Sequence, residues 1–207
     1  MTKHTYHPSL ESVKYLCSKD KIIKKIIDTH NPLEYKVAED GFSALVDSII
    51  GQQLSNKVAS VICQRFKDLL DGDISPQNIL NTSNEEIRKI GVSTNKIKYL
   101  KDLSIKTVDK LIDFDKLKDM SNEDIKKTLQ QVKGIGSWTA EMYLIFSLNR
   151  LDVLPFLDLG IKKAIKDNYK LDDYPTIKFL EILNKRWSPY QTIAALYLWE
   201  SLDNQKS

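Results

Sequence analysis

The sequence predicts an all-α protein, and three observations carry that reading. Apolar residues recur at helical spacing almost throughout, no pair of segments alternates convincingly enough to suggest paired strands, and serine caps or glycine stops bound several periodic runs. With 207 residues, 42% of them hydrophobic, the chain can bury a core as one domain or two small lobes.

Taken in order, Ser9 is placed to cap a first helix through Val13, Leu16 and Cys17. KIIKKIIDTH keeps Ile22, Ile23, Ile26 and Ile27 on one face until Asn31-Pro32 breaks the pattern. A long apolar helix covers GFSALVDSII and stops near Gly51. Ser55 starts another, with Val58, Val61, Ile62, Phe66 and Leu69 inward. Ser83 and Glu86 have capping-box spacing before a short helix that ends at Gly91. Residues 94–111 and 122–131 give two more, the second opened by Ser121 with Asp124 three places on. Gly134 to Gly136 is a turn, and Ser137 opens a helix through Trp138, Met142, Ile145 and Phe146. Ser188-Pro189 reads as an N-cap followed by proline at the first helical position, opening a helix through Ile193, Leu196, Tyr197 and Trp199. About ten helices result, with no repeat, low-complexity tract or long linker.

Composition removes several function classes. No apolar run approaches membrane-spanning length, and MTKHTYHPSLESVK lacks the apolar stretch of a secretory signal. Cys17 and Cys63 allow one disulfide at most and have no C-x-x-C spacing. The three histidines, His4, His7 and His30, all lie near the N-terminus, which argues against a metal site. An intracellular, soluble protein is expected. The net charge is only +3, so distribution matters more than sum. Lys162, Lys163, Lys166 and Lys170 follow Asp158 closely, and Lys133 sits in the glycine turn; a solvated helix face explains such a cluster equally well.

The turn VKGIGS joins two helices over very few residues, which forces backbone conformations that glycine adopts most cheaply. Ile135 can anchor it to the core. The amides of Gly134, Gly136 and Ser137 can approach a phosphate closely, with the positive end of the following helix dipole behind them. The carbonyls of Val132 and Gly134 are candidates for holding a monovalent cation, Na+ or K+, shared with that phosphate. Such contacts fix register on DNA and read no sequence. Alone, the turn is equally an ordinary helical hairpin.

The turn is not alone. Residues 129–140, LQQVKGIGSWTA, followed by DVLPFLDLGIKKA with Asp158, closely resemble the helix-hairpin-helix DNA glycosylases, whose pattern ends in one essential aspartate. SIIGQQLS at 48–55 resembles the G-Q-Q-[IL]-S segment of the same superfamily. The resemblance spans roughly residues 40–200. In the lyase-competent branch a lysine two places after the second glycine attacks the sugar carbon; here Trp138 stands there, which implies a monofunctional enzyme. Two cysteines cannot build the four-cysteine iron–sulfur cluster of the endonuclease III branch. What remains resembles the DNA-3-methyladenine glycosylase II branch, in a compact form without an N-terminal β-rich domain and with no required cofactor.

That resemblance implies two helical lobes, residues 38–150 and residues 1–37 with 151–207, and an active-site cleft between them. It makes Asp158 the essential carboxylate, ahead of Asp152, which reads as a cap or surface charge, and Asp47, which lies in an apolar helix. It places Trp138 and Trp199 in a base pocket, with Tyr143, Tyr190 and Met142 as weaker candidates. Met142 stands where a pocket tyrosine can sit. By composition alone both tryptophans are core residues. DNA contacts are expected from Lys133, Gly134, Ile135, Gly136, Ser137 and Thr139, from Lys162 and Lys163, and from Gln52, Gln53, Leu54 and Ser55. Gln53 or Leu54 would fill the gap left by a flipped base. The simpler reading of Gln52 and Gln53 is hydrogen bonding to backbone at a helix junction.

The implied substrate is an alkylated purine such as 3-methyladenine or 7-methylguanine in duplex DNA. Rival readings are a glycosylase for deaminated or oxidised bases and a non-catalytic DNA-binding module. A monomer is expected, cytoplasmic and nucleoid-associated in a prokaryote or nuclear in a eukaryote.

Overall fold

The computed structural model describes residues 1–203. In chain order the elements are β1 (Thr2–Tyr6), α1 (Glu11–Lys19), α2 (Lys21–Thr29), β2 (Leu33–Val37), α3 (Gly41–Gly51), α4 (Asn56–Leu69), α5 (Pro76–Asn81) and α6 (Asn84–Lys89). There follow α7 (Thr94–Val108), α8 (Phe114–Leu117), α9 (Asn122–Leu129), α10 (Ser137–Phe146), α11 (Leu159–Tyr169), α12 (Ile177–Trp187) and α13 (Gln191–Asp203). The chain divides into two compact units: unit 1 is residues 1–37 with 144–207, and unit 2 is residues 38–143.

In unit 1 the core is α13, whose residues Gln191 to Leu198 are buried all round. A helix apolar on every side is a central helix. α2 presents the stripe Ile23, Ile26 and Ile27 to this core, and α11 presents Ile161, Ala164 and Ile165. Asp20 starts α2, its carboxylate accepting the N–H groups of Ile22 and Ile23. That buried carboxylate also accepts from Tyr169 Oη at 2.6 Å, Arg186 at 3.0 Å and Trp187 Nε1 at 3.1 Å, so one group joins α2, α11 and α12.

The structure corrects four local expectations here. The chain is helical except for a two-stranded antiparallel sheet, with His4 opposite Tyr35 and Tyr6 opposite Leu33. LEYKV does alternate, Leu33, Tyr35 and Val37 being buried between exposed Glu34 and Lys36; five residues are too short a run to stand out beside helical patterns. Ser9 does not cap α1, because its hydroxyl is engaged by His7 Nδ1 at 2.9 Å and Leu10 occupies the cap position. Ser188 is a C-cap, its N–H donating to Asn184, and α13 begins only at Gln191. There are thirteen helices among the described residues, three of them six residues or shorter.

Unit 2 is built on α3, with Phe42, Leu45, Val46, Ile49 and Ile50 buried, and on α7, with Ile97, Leu100 and Leu103 buried. Asp40, Ser55, Ser83, Ser93 and Ser121 cap α3, α4, α6, α7 and α9, and Ser83 with Glu86 forms a complete capping box. On α4 only Phe66 is fully buried; Val58 and Val61 are 45% and 46% exposed, against the inward facing expected of them. The apolar stripe of α4 is therefore confined to its second half. Among the described residues no helix is long and apolar enough to cross a membrane.

Candidate active site

The glycine turn joins α9 to α10 in unit 2, and its conformation explains its residues individually. Val132 and Ile135 are buried and anchor it, whereas Lys133, Gly134 and Gly136 are exposed. Gly134 has φ +84°, and a Cβ there would lie 2.2 Å from the Tyr99 ring, so both backbone and packing require glycine. Gly136 has neither constraint: a Cβ would meet nothing within 4 Å. Its missing side chain leaves room for something approaching from outside. The N–H groups of Gly134, Gly136 and Ser137 meet no backbone acceptor among the described residues, and Gly136 O accepts the first bond of α10 from Ala140.

The turn is held from behind. Asp102 Oδ2 accepts the Lys133 N–H at 2.8 Å, while Oδ1 pairs with Lys106 at 2.7 Å. Burial pushes the Asp102 carboxyl up, but Lys106 and the Lys133 N–H outweigh it and hold the group below the usual carboxylate range. Gln52 Nε2 donates to Gly134 O at 2.8 Å. This is the backbone-bonding role that a glutamine at a helix junction suggests, and it commits the Gln52 amide inside the protein. Next to it, Gln53 is exposed and adopts a left-handed backbone with φ 57°. An exposed non-glycine residue in that region is a strained, displayed position. Leu54 is half-buried, and Ser55 Oγ is used as the N-cap of α4.

The expected aromatic positions separate. Trp138 is 44% exposed on the first turn of α10, so it is not a core residue. Met142 is half-buried one turn further on. Tyr143 is a core residue instead: it is 4% exposed, and its ring packs against Phe114 and over Gly41. Thr139 is also buried, so its hydroxyl is not presented at the hairpin surface as a DNA contact would require.

In unit 1, Asp158 is the N-cap residue of α11. Its Oδ1 accepts the Ile161 N–H at 2.8 Å and the Trp199 Nε1–H at 2.9 Å. Two fixed donors converge on one oxygen of the carboxylate and set its orientation. Trp199 is half-buried and lies against Phe146, ring centroids 5.9 Å apart. Gly160 makes this pair possible, since a Cβ there would fall 3.0 Å from Asp158 Oδ1 and 3.2 Å from the indole. The segment leading to Asp158 is fixed to the same helix: Thr192 Oγ1 donates to Arg150 O and accepts the Val153 N–H. Thr192 and Trp199 lie two turns apart on α13, so one helix locates both the loop and the carboxylate.

The remaining candidates are peripheral. Asp152 and Asp47 are exposed. Lys162 is half-buried on α11, and exposed Lys163 pairs with Asp167. Tyr190 meets Tyr15 edge-on at 5.4 Å, a packing contact. Sequence reasoning missed Gly160, Asp102, Tyr99 and Thr192. Only Gly160, two places after Asp158, carried a local signal.

A family profile described as the HhH-GPD superfamily base excision DNA repair protein matches residues 46–189, and the chain belongs to that superfamily. It is similar to DNA-3-methyladenine glycosylase 1 of Schizosaccharomyces pombe, with 34% identity over 184 residues, 87% of this chain and 81% of that protein. Among solved structures it matches a DNA-3-methyladenine glycosidase from Bacillus halodurans with TM-score 0.89 and 33% identity, covering 100% of this chain and 94% of that one. It also matches a 3-methyladenine DNA glycosylase from Schizosaccharomyces pombe in complex with abasic DNA, with TM-score 0.85 and 32% identity, over 94% of this chain and 97% of that one.

Proposed function

We propose that the protein is a monofunctional DNA glycosylase that hydrolyses the N-glycosidic bond of alkylated purines in duplex DNA. The observation that carries this reading is the Asp158 carboxylate, held by the Ile161 N–H and the Trp199 indole. Breaking the bond between C1′ and the base nitrogen sends the electron pair to the base and leaves an oxocarbenium-like sugar. A fixed carboxylate stabilises that charge and orients the water that adds to C1′, whose proton passes to solvent. A 3- or 7-methylated purine is cationic and leaves as a neutral base, so little acid catalysis is required. The exposed Trp138 indole supplies a face on which a cationic base is favoured by about 0.5–2 kcal/mol. Position 138 carries no amine, so no Schiff base forms there and the DNA strand stays intact.

The hairpin amides hold a backbone phosphate in this reading. The Val132 and Gly134 carbonyls are the candidates for holding a monovalent cation beside it, since each accepts one internal hydrogen bond and retains a second acceptor direction. Such an ion would add positive charge next to the phosphate.

The direct test is incubation with methylated duplex DNA and chromatography of the released bases. Free 3-methyladenine and 7-methylguanine, with abasic sites left uncut, is the expected result. DNA binding with no base released, or strand cleavage trapped by borohydride, overturns it. Trp199→Phe keeps an aromatic ring and removes only the donor to Asp158. The single-turnover excision rate should fall about tenfold, as for loss of one hydrogen bond to a charged group. Affinity for an abasic-site duplex should change little. A change confined to thermal stability would assign Trp199 to packing alone.

A further inference from the structure

Four contacts inside unit 2 bind the Gln52–Ser55 turn and the glycine hairpin to one another. Three of them come from a single stripe of α7, where Lys96, Tyr99 and Asp102 stand one turn apart in succession. Lys96 Nζ donates to Ile50 O at 2.7 Å, in the last turn of α3, just before Gln52. The Tyr99 ring lies directly beneath Gly134, and Asp102 receives the Lys133 N–H. The fourth contact closes the circuit: the Gln52 amide donates to Gly134 O across 82 positions of sequence.

Resting on the glycosylase reading, we propose that Gln52 is a positioning residue, a strut that fixes the displayed Gln53 turn in register with the phosphate-gripping hairpin. The hairpin fixes where the protein sits on the backbone, and the Gln53 turn is the element displayed for insertion. Extruding a paired base costs a few kcal/mol. An inserted side chain supplies that energy only if the turn carrying it cannot recoil from the backbone contact. Gln52 provides a direct side-chain link between the two segments, while Lys96, Tyr99 and Asp102 hold them to α7. The chemistry of the link is directional. It needs an N–H donor facing a carbonyl, so glutamate at this position sets two acceptors against each other.

The test uses the full chain with Gln52→Ala and Gln52→Glu, and two readouts. In DNA-free protein, exchange of the hydrogen-bonded hairpin amides of Lys133 and Ile135 should quicken about fivefold, as for loss of one hydrogen bond, while buried α7 amides are unchanged. In single-turnover excision, 7-methylguanine is presented either paired with cytosine or opposite an abasic site. The ratio of the unpaired to the paired rate should rise about tenfold over the parent ratio, because only the paired lesion demands work from the turn. An unchanged ratio, or unchanged hairpin exchange, overturns the proposal. Equal losses on both substrates overturn it too, assigning Gln52 to direct DNA contact. If the parent releases no base from either duplex, the glycosylase reading fails instead, and with it the extrusion role, while exchange still reports whether the strut exists.

Discussion

Asp158→Asn is expected to lower single-turnover base excision about a thousandfold, on the order of 4 kcal/mol of transition-state stabilisation. It should still bind an abasic-site duplex nearly as the parent does. Asparagine has the same shape and keeps an Oδ1 to accept from Ile161 and Trp199, so α11 retains its cap and the fold should survive. What disappears is the negative charge that the proposed mechanism sets against the cationic C1′. The substitution therefore separates chemistry from recognition. A loss of only a few fold would move the essential charge away from Asp158. A parallel loss of DNA affinity and of thermal stability would make the residue a structural cap.

The second large effect concerns the body of unit 1. Asp20→Ala should destabilise the protein by about 3–5 kcal/mol, the range for leaving buried partners of a charge without their acceptor. Five donors converge on this carboxylate: the Ile22 and Ile23 amides, Tyr169 Oη, Arg186 and the fully buried Trp187 indole. Truncation takes the acceptor from all of them at the junction of α2, α11 and α12, and leaves the fully buried Trp187 indole without one. Burial works against the ionised carboxylate, but the hydrogen bonds from Tyr169, Arg186, Trp187 and Ile23 outweigh it and hold its pKa below the usual value. The sign of the pH dependence follows. A folded-state pKa below the unfolded one stabilises the protein above the unfolded value, and this contribution is lost as pH falls through the folded one. Denaturant melts from neutral pH into the acid range should show a steeper acid loss for the parent than for Asp20→Ala. Parallel curves would show that Asp20 contributes no charge-linked stability.

Sequence reached different depths in different places. Asp158, the hairpin glycines and the GQQLS turn stood in contiguous patterns; Gly134, Gly136 and Gln53 are exposed, and Asp158 caps a helix. The Ser83 capping box was equally legible, because both of its partners lie within four residues. What was missed depends on distance along the chain. The Asp102 bond to Lys133 spans 31 positions and the Trp199 bond to Asp158 spans 41, and neither leaves a local trace. Ser188-Pro189 was misread because a serine before proline is compatible with the end of one helix as well as the start of another. Tyr143 and Thr139 shared a motif with exposed Trp138, yet the helical turn of α10 sends them inward. Asp20 carried a readable sign, an aspartate directly before the amphipathic KIIKKII run, but its three side-chain donors come from beyond residue 168.

Unit 1 is assembled from both ends of the chain, and that carries a consequence for the order of synthesis. On the ribosome, β1 through β2 emerges first, followed by the whole of unit 2, and only then by α11 to α13. The stripe of α2 and the Asp20 carboxylate must remain without their native partners while the intervening segment is translated. Unit 2, contiguous in sequence, has every residue it needs as soon as Tyr143 has cleared the exit tunnel. The hairpin surface is thus available for folding before Asp158 is complete, because that carboxylate receives its indole only after a further 41 residues have been translated.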